Sequence, residues 1–334
     1  MVGIRLPIKL VWTMIVVLVF LALTFLILAT AFRVVNLLLN PPLKEPTEEV
    51  SPRGAWTGSE ALADGDISYV SGGASGAGLY VLDLEEGKST RVIGGLYPGS
   101  DLDWSPDGNR IAFEGADGIW TMNADGTERR RLTRQGEPGS YDPAWSPDGQ
   151  KIAFSSHLGG RPNVNVATPD GSERKVLTDK PAGAGDYRPD WSPDGARIIF
   201  MRQGRSSRTI GGIGLPVNDI YVMDADGSDE KRLARGAGDD HPNFSPDGSR
   251  IAFLSRRDGD TGVYKMDADG SDVEKLTGNA TDTAAPSWSP EGDTIVYEAE
   301  GVFGPEIHLV NADDTGASSI TDPPTQGSMP VWMP

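Results

Sequence analysis

The amino-acid sequence predicts an all-β fold, a six-bladed β-propeller of four-stranded blades preceded by one N-terminal transmembrane helix, on three observations. A five-residue motif, Trp-Ser-Pro-Asp-Gly or a close variant, starts at Trp104, Trp145, Trp191, Phe244 and Trp288, and a further aromatic, Trp332, follows near the end of the chain. With 42 Gly and 25 Pro but only 7% aromatic residues the chain is dense in turns, which suits many short strands rather than long helices. Ahead of these repeats, Leu10 to Phe32 form 23 residues without a charge.

That apolar run is the first element. As a helix it would span roughly 35 Å against a bilayer core of about 30 Å. Arg5 and Lys9 precede it, and the acidic stretch Lys44 to Glu49 lies beyond Arg33, so the positive-inside rule places the N-terminus in the cytoplasm and the remainder outside, as a single-pass protein of the cell membrane. A cleaved signal peptide is the competing reading, because Ala29-Thr30-Ala31 offers small residues for cleavage. The run exceeds the about 7 to 15 apolar residues usual in signal peptides, and apolar residues resume at Val34, so a retained anchor is expected. The predicted organisation is a short cytoplasmic end over 1–9, the anchor over 10–32, a Pro- and Glu-rich linker over 33–62 and the propeller over 63–334. Residues 41–62 hold four prolines and four acids, the composition of an extended tether. Trp56 within it is a candidate to dock on the domain.

Charge and cysteine content narrow the function. The formal charge is −18, and residues 1–33 hold three cations and no acid, so the remainder carries −21 (−18 less those three). Binding nucleic acid requires clustered Lys and Arg to replace condensed counterions, and this balance points away from DNA or RNA. The chain has no Cys, which excludes disulfides, thiolate metal sites, cysteine nucleophiles and a lipoprotein anchor.

The aromatic positions of the repeat are separated by 41, 46, 53, 44 and 44 residues, a period that fits one four-stranded blade. Within each unit, an extended segment ends on the aromatic, Ser-Pro-Asp-Gly turns, and an alternating segment such as Lys151-Ile152-Ala153-Phe154 returns as the second strand. Pro presets φ for the turn, Asp tolerates the next position and Gly takes the positive φ of a bulged hairpin loop. A second hairpin follows, clearest at Asp219 to Met223, the turn Asp224-Ala225-Asp226-Gly227, and Lys231 to Leu233. In the last unit Asp314 stands where Gly stands elsewhere, so an opened or shifted turn is expected there. Residues 66–95 supply three strands without a preceding motif, at Ile67 to Val70, Leu79 to Leu82 and Ser89 to Ile93. The C-terminal piece Met329 to Trp332 supplies the fourth. Pairing of the two chain ends completes a sixth blade, closes the ring and removes a free sheet edge. Such a ring is expected to be monomeric.

The repeated (Asp/Pro)-x-Trp-Ser-Pro-Asp-Gly-x-(Lys/Arg)-Ile-Ala-Phe, followed by Ile-Tyr-x-Met-Asp-Ala-Asp-Gly-Ser and Leu-Thr, resembles the TolB-type, WD-repeat-like propeller repeat over residues 63–334. The resemblance implies a periplasmic propeller that presents a protein-binding surface in cell-envelope maintenance, with envelope or membrane proteins as partners. The family pattern also includes an α/β domain before the propeller, where this sequence has only its short linker.

Candidate binding residues lie just before the motif aromatics, where first strands enter and rim the mouth of the central channel: Asp101, Tyr141, Asp142, Tyr187, Arg188, Asp240 and His241. Tyr and Arg are enriched at interface hot spots, and loops on a rigid frame commonly carry binding groups. The longest interval holds an insertion at Gln203 to Val217, around which Arg202, Arg205 and Arg208 stand out in an acidic domain, making it a second candidate recognition element.

Other chemistries find less support. Asp224, Asp226 and Asp229, with Asp267, Asp269 and Asp272, invite a calcium reading, but Gly directly follows the second Asp as a hairpin turn needs, unlike an EF-hand loop. His157, His241 and His308 fall at different blade positions, so no shared metal site is expected. No Ser carries Gly at both second positions as in the nucleophile elbow of a hydrolase. The expectation is a protein-interaction scaffold without catalytic residues, cofactor or metal. The alternative is a propeller enzyme, or a carbohydrate or small-ligand binder, with its site at the channel mouth around Asp240 and His241.

Overall fold

The computed structural model describes residues from Asp66 to Pro334, apart from short segments at 74–75, 86, 98, 138, 179–184, 211–212, 236–237, 279, 282–284, 302–303 and 321–326, and it describes side chains outside 73–76 and 205–217. The expected cytoplasmic end, anchor, linker and Trp56 lie outside the described residues. Among the described residues no helix is long and apolar enough to cross a membrane.

Six antiparallel four-stranded sheets form the blades of a propeller. Blade 1 contains Ile67–Gly73, Gly76–Asp83 and Lys88–Leu96 together with Ser328–Trp332. Blade 2 runs from Leu102 to Arg131, blade 3 from Ser140 to Val176, blade 4 from Gly185 to Arg235, blade 5 from Asp240 to Lys275 and blade 6 from Ser287 to Ser319. The first strand of each blade lies beside the first strand of the next, so these strands line a central channel, and Ser328–Trp332 meets Leu102–Trp104 to complete the circle. The motif turns of blades 2 to 6 each place a glycine at positive φ, at Gly108, Gly149, Gly195, Gly248 and Gly292. In blade 2 the Ser105 hydroxyl donates to Asp107 Oδ1 at 2.6 Å, the backbone N–H of Asn109 donates to the same oxygen at 3.1 Å, and Gly108 takes a φ of 66°. Blade 6 replaces the Asp by Glu291, and Ser289 turns to Asp293 instead, at 3.0 Å. The expected departure at Asp314 is a left-handed residue with φ of 66°, a conformation Asp tolerates better than most residues. Its closing backbone bond shifts by one residue, from Asn311 to Gly316, where the turn in blade 4 closes from Asp224 to Ser228.

The core is a set of six apolar clusters, one in each seam between neighbouring blades. Each motif aromatic packs into the seam with the preceding blade, and its polar contacts alternate around the ring. In the seams before blades 3, 5 and 1, the side chain of the residue preceding the earlier aromatic accepts the backbone N–H of the next one. Asp103 accepts from Trp145 at 2.6 Å, Asp190 from Phe244 at 2.8 Å and Ser287 from Trp332 at 3.2 Å. In the seams before blades 2, 4 and 6 the indole N–H does the work. Trp104 donates to Ser68 Oγ at 2.9 Å, and Trp191 and Trp288 donate to the carbonyls of Ala144 and Asn243 at 3.2 Å each. The indole nitrogens of Trp145 and Trp332 have no acceptor among the described residues.

The alternation explains why Phe can stand at 244, since that seam makes no use of an indole N–H. It also makes a prediction. Trp→Phe removes the same volume at 145 and at 191, but only at 191 does it also remove a buried hydrogen bond, so Trp191→Phe is expected to cost about 1 kcal/mol more than Trp145→Phe. Equal losses in urea unfolding would refute the alternation as an energetic feature.

Candidate functional site

The entries to the first strands are built by a repeated irregularity. Three residues before the motif aromatic, Asp142, Arg188, His241 and Met329 take φ values of 55°, 54°, 50° and 54°. L-residues other than glycine seldom occupy this left-handed region, and each of these precedes a proline, at Pro143, Pro189, Pro242 and Pro330. The pairing register slips at the same places, between Tyr141 and Ala144, Tyr187 and Asp190, and Asp240 and Asn243. A bulge of this kind leaves a residue unpaired and re-aims its side chain. The same strained backbone thus recurs at one end of the channel in four of the six blades.

Arg188 is the centre of the resulting cluster. Its Nη1 donates to Asp240 Oδ1 of blade 5 at 3.3 Å, and its Nε lies 4.0 Å from Asp142 Oδ1 of blade 3. The backbone N–H of Arg188 donates to Asp142 Oδ2 at 3.2 Å and to Ser155 Oγ at 3.0 Å, while the Ser155 hydroxyl donates to Asp142 Oδ2 at 2.7 Å. Blade 4 is thereby tied to both neighbours. The His241 ring is buried beneath the rim with Nδ1 3.5 Å from Asp240 Oδ1.

Blade 2 adds Asp101 and Glu114. Burial, followed by the field of the Asp142 carboxylate, pushes Asp101 well above the usual carboxylate range and Glu114 up to about 7, with Arg188 opposing both shifts. Burial alone would lower the Arg188 pKa, but Asp240, Asp142, Asp101 and Glu114 more than restore it, and the guanidinium stays charged. One cation thus faces four carboxyl groups in surroundings of low dielectric, so the cluster holds protons near neutrality.

The two tyrosines flank this cluster. Each folds back over the glycine two residues before it, since a Cβ on Gly139 would fall 1.9 Å from the Tyr141 hydroxyl oxygen and one on Gly185 would fall 2.7 Å from the Tyr187 ring. Tyr141 also meets the His157 ring edge-on at 5.7 Å. Tyr97, in the connection from blade 1 to blade 2 on this same end, is 56% exposed.

Asp101, Asp142, Arg188, Asp240 and His241 are therefore brought together, with Tyr141 and Tyr187 beside them. Glu114 and Ser155 belong to the cluster and escape a reading of the sequence. Their trace is a polar residue directly after the Ile-Ala-Phe segment, ten positions beyond the motif aromatic. Arg202 is engaged elsewhere. It chelates Asp186 at 2.6 and 2.9 Å and Glu230 at 2.5 and 3.0 Å, and it stacks 4.3 Å from the centre of the Tyr221 ring. Arg205 and Arg208 stand on the extended hairpin of blade 4, and their side chains lie outside the described residues. Among the described residues no group of three His, Asp or Glu side chains is placed to hold a metal ion.

TolB from Acinetobacter baumannii is similar to this chain at 24% identity and a TM-score of 0.66, over 81% of this chain and 67% of that one. A putative TolB from Agrobacterium tumefaciens is similar at 25% identity and a TM-score of 0.61, over 80% of this chain and 93% of that one. An oligogalacturonate lyase from Vibrio parahaemolyticus shares the fold at 14% identity and a TM-score of 0.52, over 79% and 76% of the two chains. No curated protein matches the sequence. The family model described as the TolB beta propeller domain matches residues 59–216 and 214–334, and the chain belongs to the TolB β-propeller domain family.

Proposed function

We propose that this protein is an interaction scaffold of the cell envelope, anchored by residues 10–32 with its propeller on the outer side of the membrane, and that it presents the channel mouth to a protein partner. The observation that carries this reading is the convergence of Asp101, Asp142, Arg188 and Asp240, from four different blades, on one end of the channel between Tyr141 and Tyr187. A guanidinium held by carboxylates and flanked by aromatic rings is the arrangement expected of an interface anchor. The anchor itself is supported by the uncharged run and by the placement of Arg5 and Lys9.

The test is a pull-down from detergent-solubilised envelopes with the full chain and with a Tyr141→Ala, Tyr187→Ala variant. A partner is expected to bind the parent chain and to be depleted at least tenfold on the variant, with the melting temperature retained. Equal recovery on both chains would remove the mouth as the interface. If neither chain retained a protein, a small ligand at the mouth would become the better reading.

A further inference from the structure

Blade 4 differs from the others in its second and third strands, Arg197–Ile210 and Ile213–Asp224. The inner strand Gly185–Trp191 pairs only as far as Gly185↔Gln203, and the outer strand Lys231–Arg235 only as far as Asp219↔Arg235. The central hairpin continues past both, pairing Ser207↔Pro216, Arg208↔Leu215, Thr209↔Gly214 and Ile210↔Ile213. Among the described residues no strand covers either edge of this extension. It rises from the end of the blade where Gly185, Tyr187 and Arg188 enter. Its inner edge therefore begins where the inner strand stops, beside the channel mouth.

The two edges are not equivalent. Only two residues separate Ile210 from Ile213, so that pair is hydrogen-bonded across the hairpin, as is Arg208↔Leu215, while Thr209↔Gly214 and Ser207↔Pro216 are the alternate pairs whose N–H and C=O groups point outward. On the outer edge one of those outward positions is Pro216, which has no N–H to offer and blunts the edge. On the inner edge Ser207 and Thr209 keep both groups. The segment 203–217 also holds Arg205 and Arg208 and no acid, within a soluble part whose charge is otherwise strongly negative.

We propose that the inner edge at Ser207 and Thr209 is a docking edge for an extended, acidic segment of a protein partner, which adds to blade 4 as a further strand beside the channel mouth. Main-chain pairing supplies the affinity in this mode, and the local positive charge selects Asp or Glu over Lys or Arg on the incoming strand. The inference rests on the reading that the mouth face engages protein.

The probe is the blocked peptide acetyl-Thr-Glu-Val-Glu-Val-Glu-Thr-amide, with a counterpart carrying Lys in place of Glu, titrated into the full chain by fluorescence anisotropy. The acidic peptide is expected to bind at least tenfold more tightly than the basic one. Thr209→Pro should weaken it at least tenfold, whereas Gly214→Pro, the equivalent change on the blunted edge, should leave it within twofold. Neither variant should shift the melting temperature, which shows that the blade is intact. In hydrogen exchange the Ser207 and Thr209 amides are expected to be fast in the free protein and slow with the acidic peptide bound. Equal affinity for the two peptides, insensitivity to Thr209→Pro, or slow exchange already in the free protein would each overturn the proposal. The last result would mean that the chain covers this edge itself. An envelope partner lost on Tyr141→Ala, Tyr187→Ala but kept on Thr209→Pro would uphold the mouth and reject the edge.

Discussion

Truncation after Gly327 is expected to unfold the propeller rather than trim it. Ser328–Trp332 is the inner strand of blade 1, paired through Ile67↔Trp332, Ser68↔Val331 and Val70↔Ser328. It is also held by the Met333 N–H on the Asp66 carbonyl at 2.9 Å and by the Trp332 N–H on Ser287 at 3.2 Å. Met333 lies in the cluster between blades 1 and 2, and Trp332 packs against the one between blades 6 and 1. Losing Val331, Trp332 and Met333 removes on the order of 5 kcal/mol of apolar burial, which rivals the about 5–15 kcal/mol by which domains are stable at all. Ile67, Tyr69 and Val70, buried in the closed ring, would face a gap, and the strand that carries them would become an open edge prone to association. Circular dichroism melts and gel filtration of the truncated chain should show loss of the cooperative transition, or oligomers. A truncated protein that melts as the full chain does would show that closure by the chain ends contributes little.

This dependence on the chain ends is legible in the sequence because blade geometry is set locally. Asp and Gly in the motif turns act through their own φ preferences and short side chains, within five residues, so spacing and turn chemistry together specify hairpins and their number. The channel mouth is half legible for the same reason. The positions of Asp142, Arg188 and Asp240 follow from the repeat, but the left-handed bulges that aim them do not, since no residue type other than the following proline marks them. Glu114 reads as an ordinary strand residue until the ring brings it against Asp142. Arg202 shows the opposite failure. It stands out as an unneutralised charge in the chain, yet its partners Asp186 and Glu230 lie 16 and 28 residues away, beyond any local pattern. The seam alternation leaves one trace, the Phe at 244, and its meaning depends on the hydrogen bonds of all six seams.

Acidification from pH 8 to pH 5 is expected to stabilise the domain, through groups inside the channel. Burial pushes Asp103 and Asp190 up from 3.8 to about 7, only partly offset by the backbone N–H groups of Trp145 and Phe244, and Asp103 raises Asp190 further. Glu114, at about 7, acts in the same direction. A carboxyl whose pKa is higher folded than unfolded binds its proton more tightly in the native state, so its effect on stability worsens as pH climbs from about 4 to about 7 and then levels off. The motif aspartates oppose this at lower pH. The Ser245 hydroxyl and the Ser249 amide hold Asp247 down to about 2, and the motif Ser hydroxyls also lower Asp107, Asp148 and Asp194 below the usual carboxylate range, so these contributions fade as pH falls below about 4. Stability should therefore peak between about pH 4 and pH 5. A tenfold difference in proton affinity between the folded and unfolded chain corresponds to about 1.4 kcal/mol, so each channel carboxylate costs a few kcal/mol at pH 8. Asp103→Asn and Asp190→Asn keep a carbonyl to accept the same backbone N–H without the charge. Each is expected to raise stability at pH 8 by about 2 kcal/mol, to leave it nearly unchanged at pH 5, and to flatten the profile between. Urea unfolding of the three proteins at pH 5, 6.5 and 8 decides the matter. Parent stability that rises towards pH 8, or Asn variants no more stable than the parent there, would mean that water in the channel keeps both carboxylates solvated and ionised.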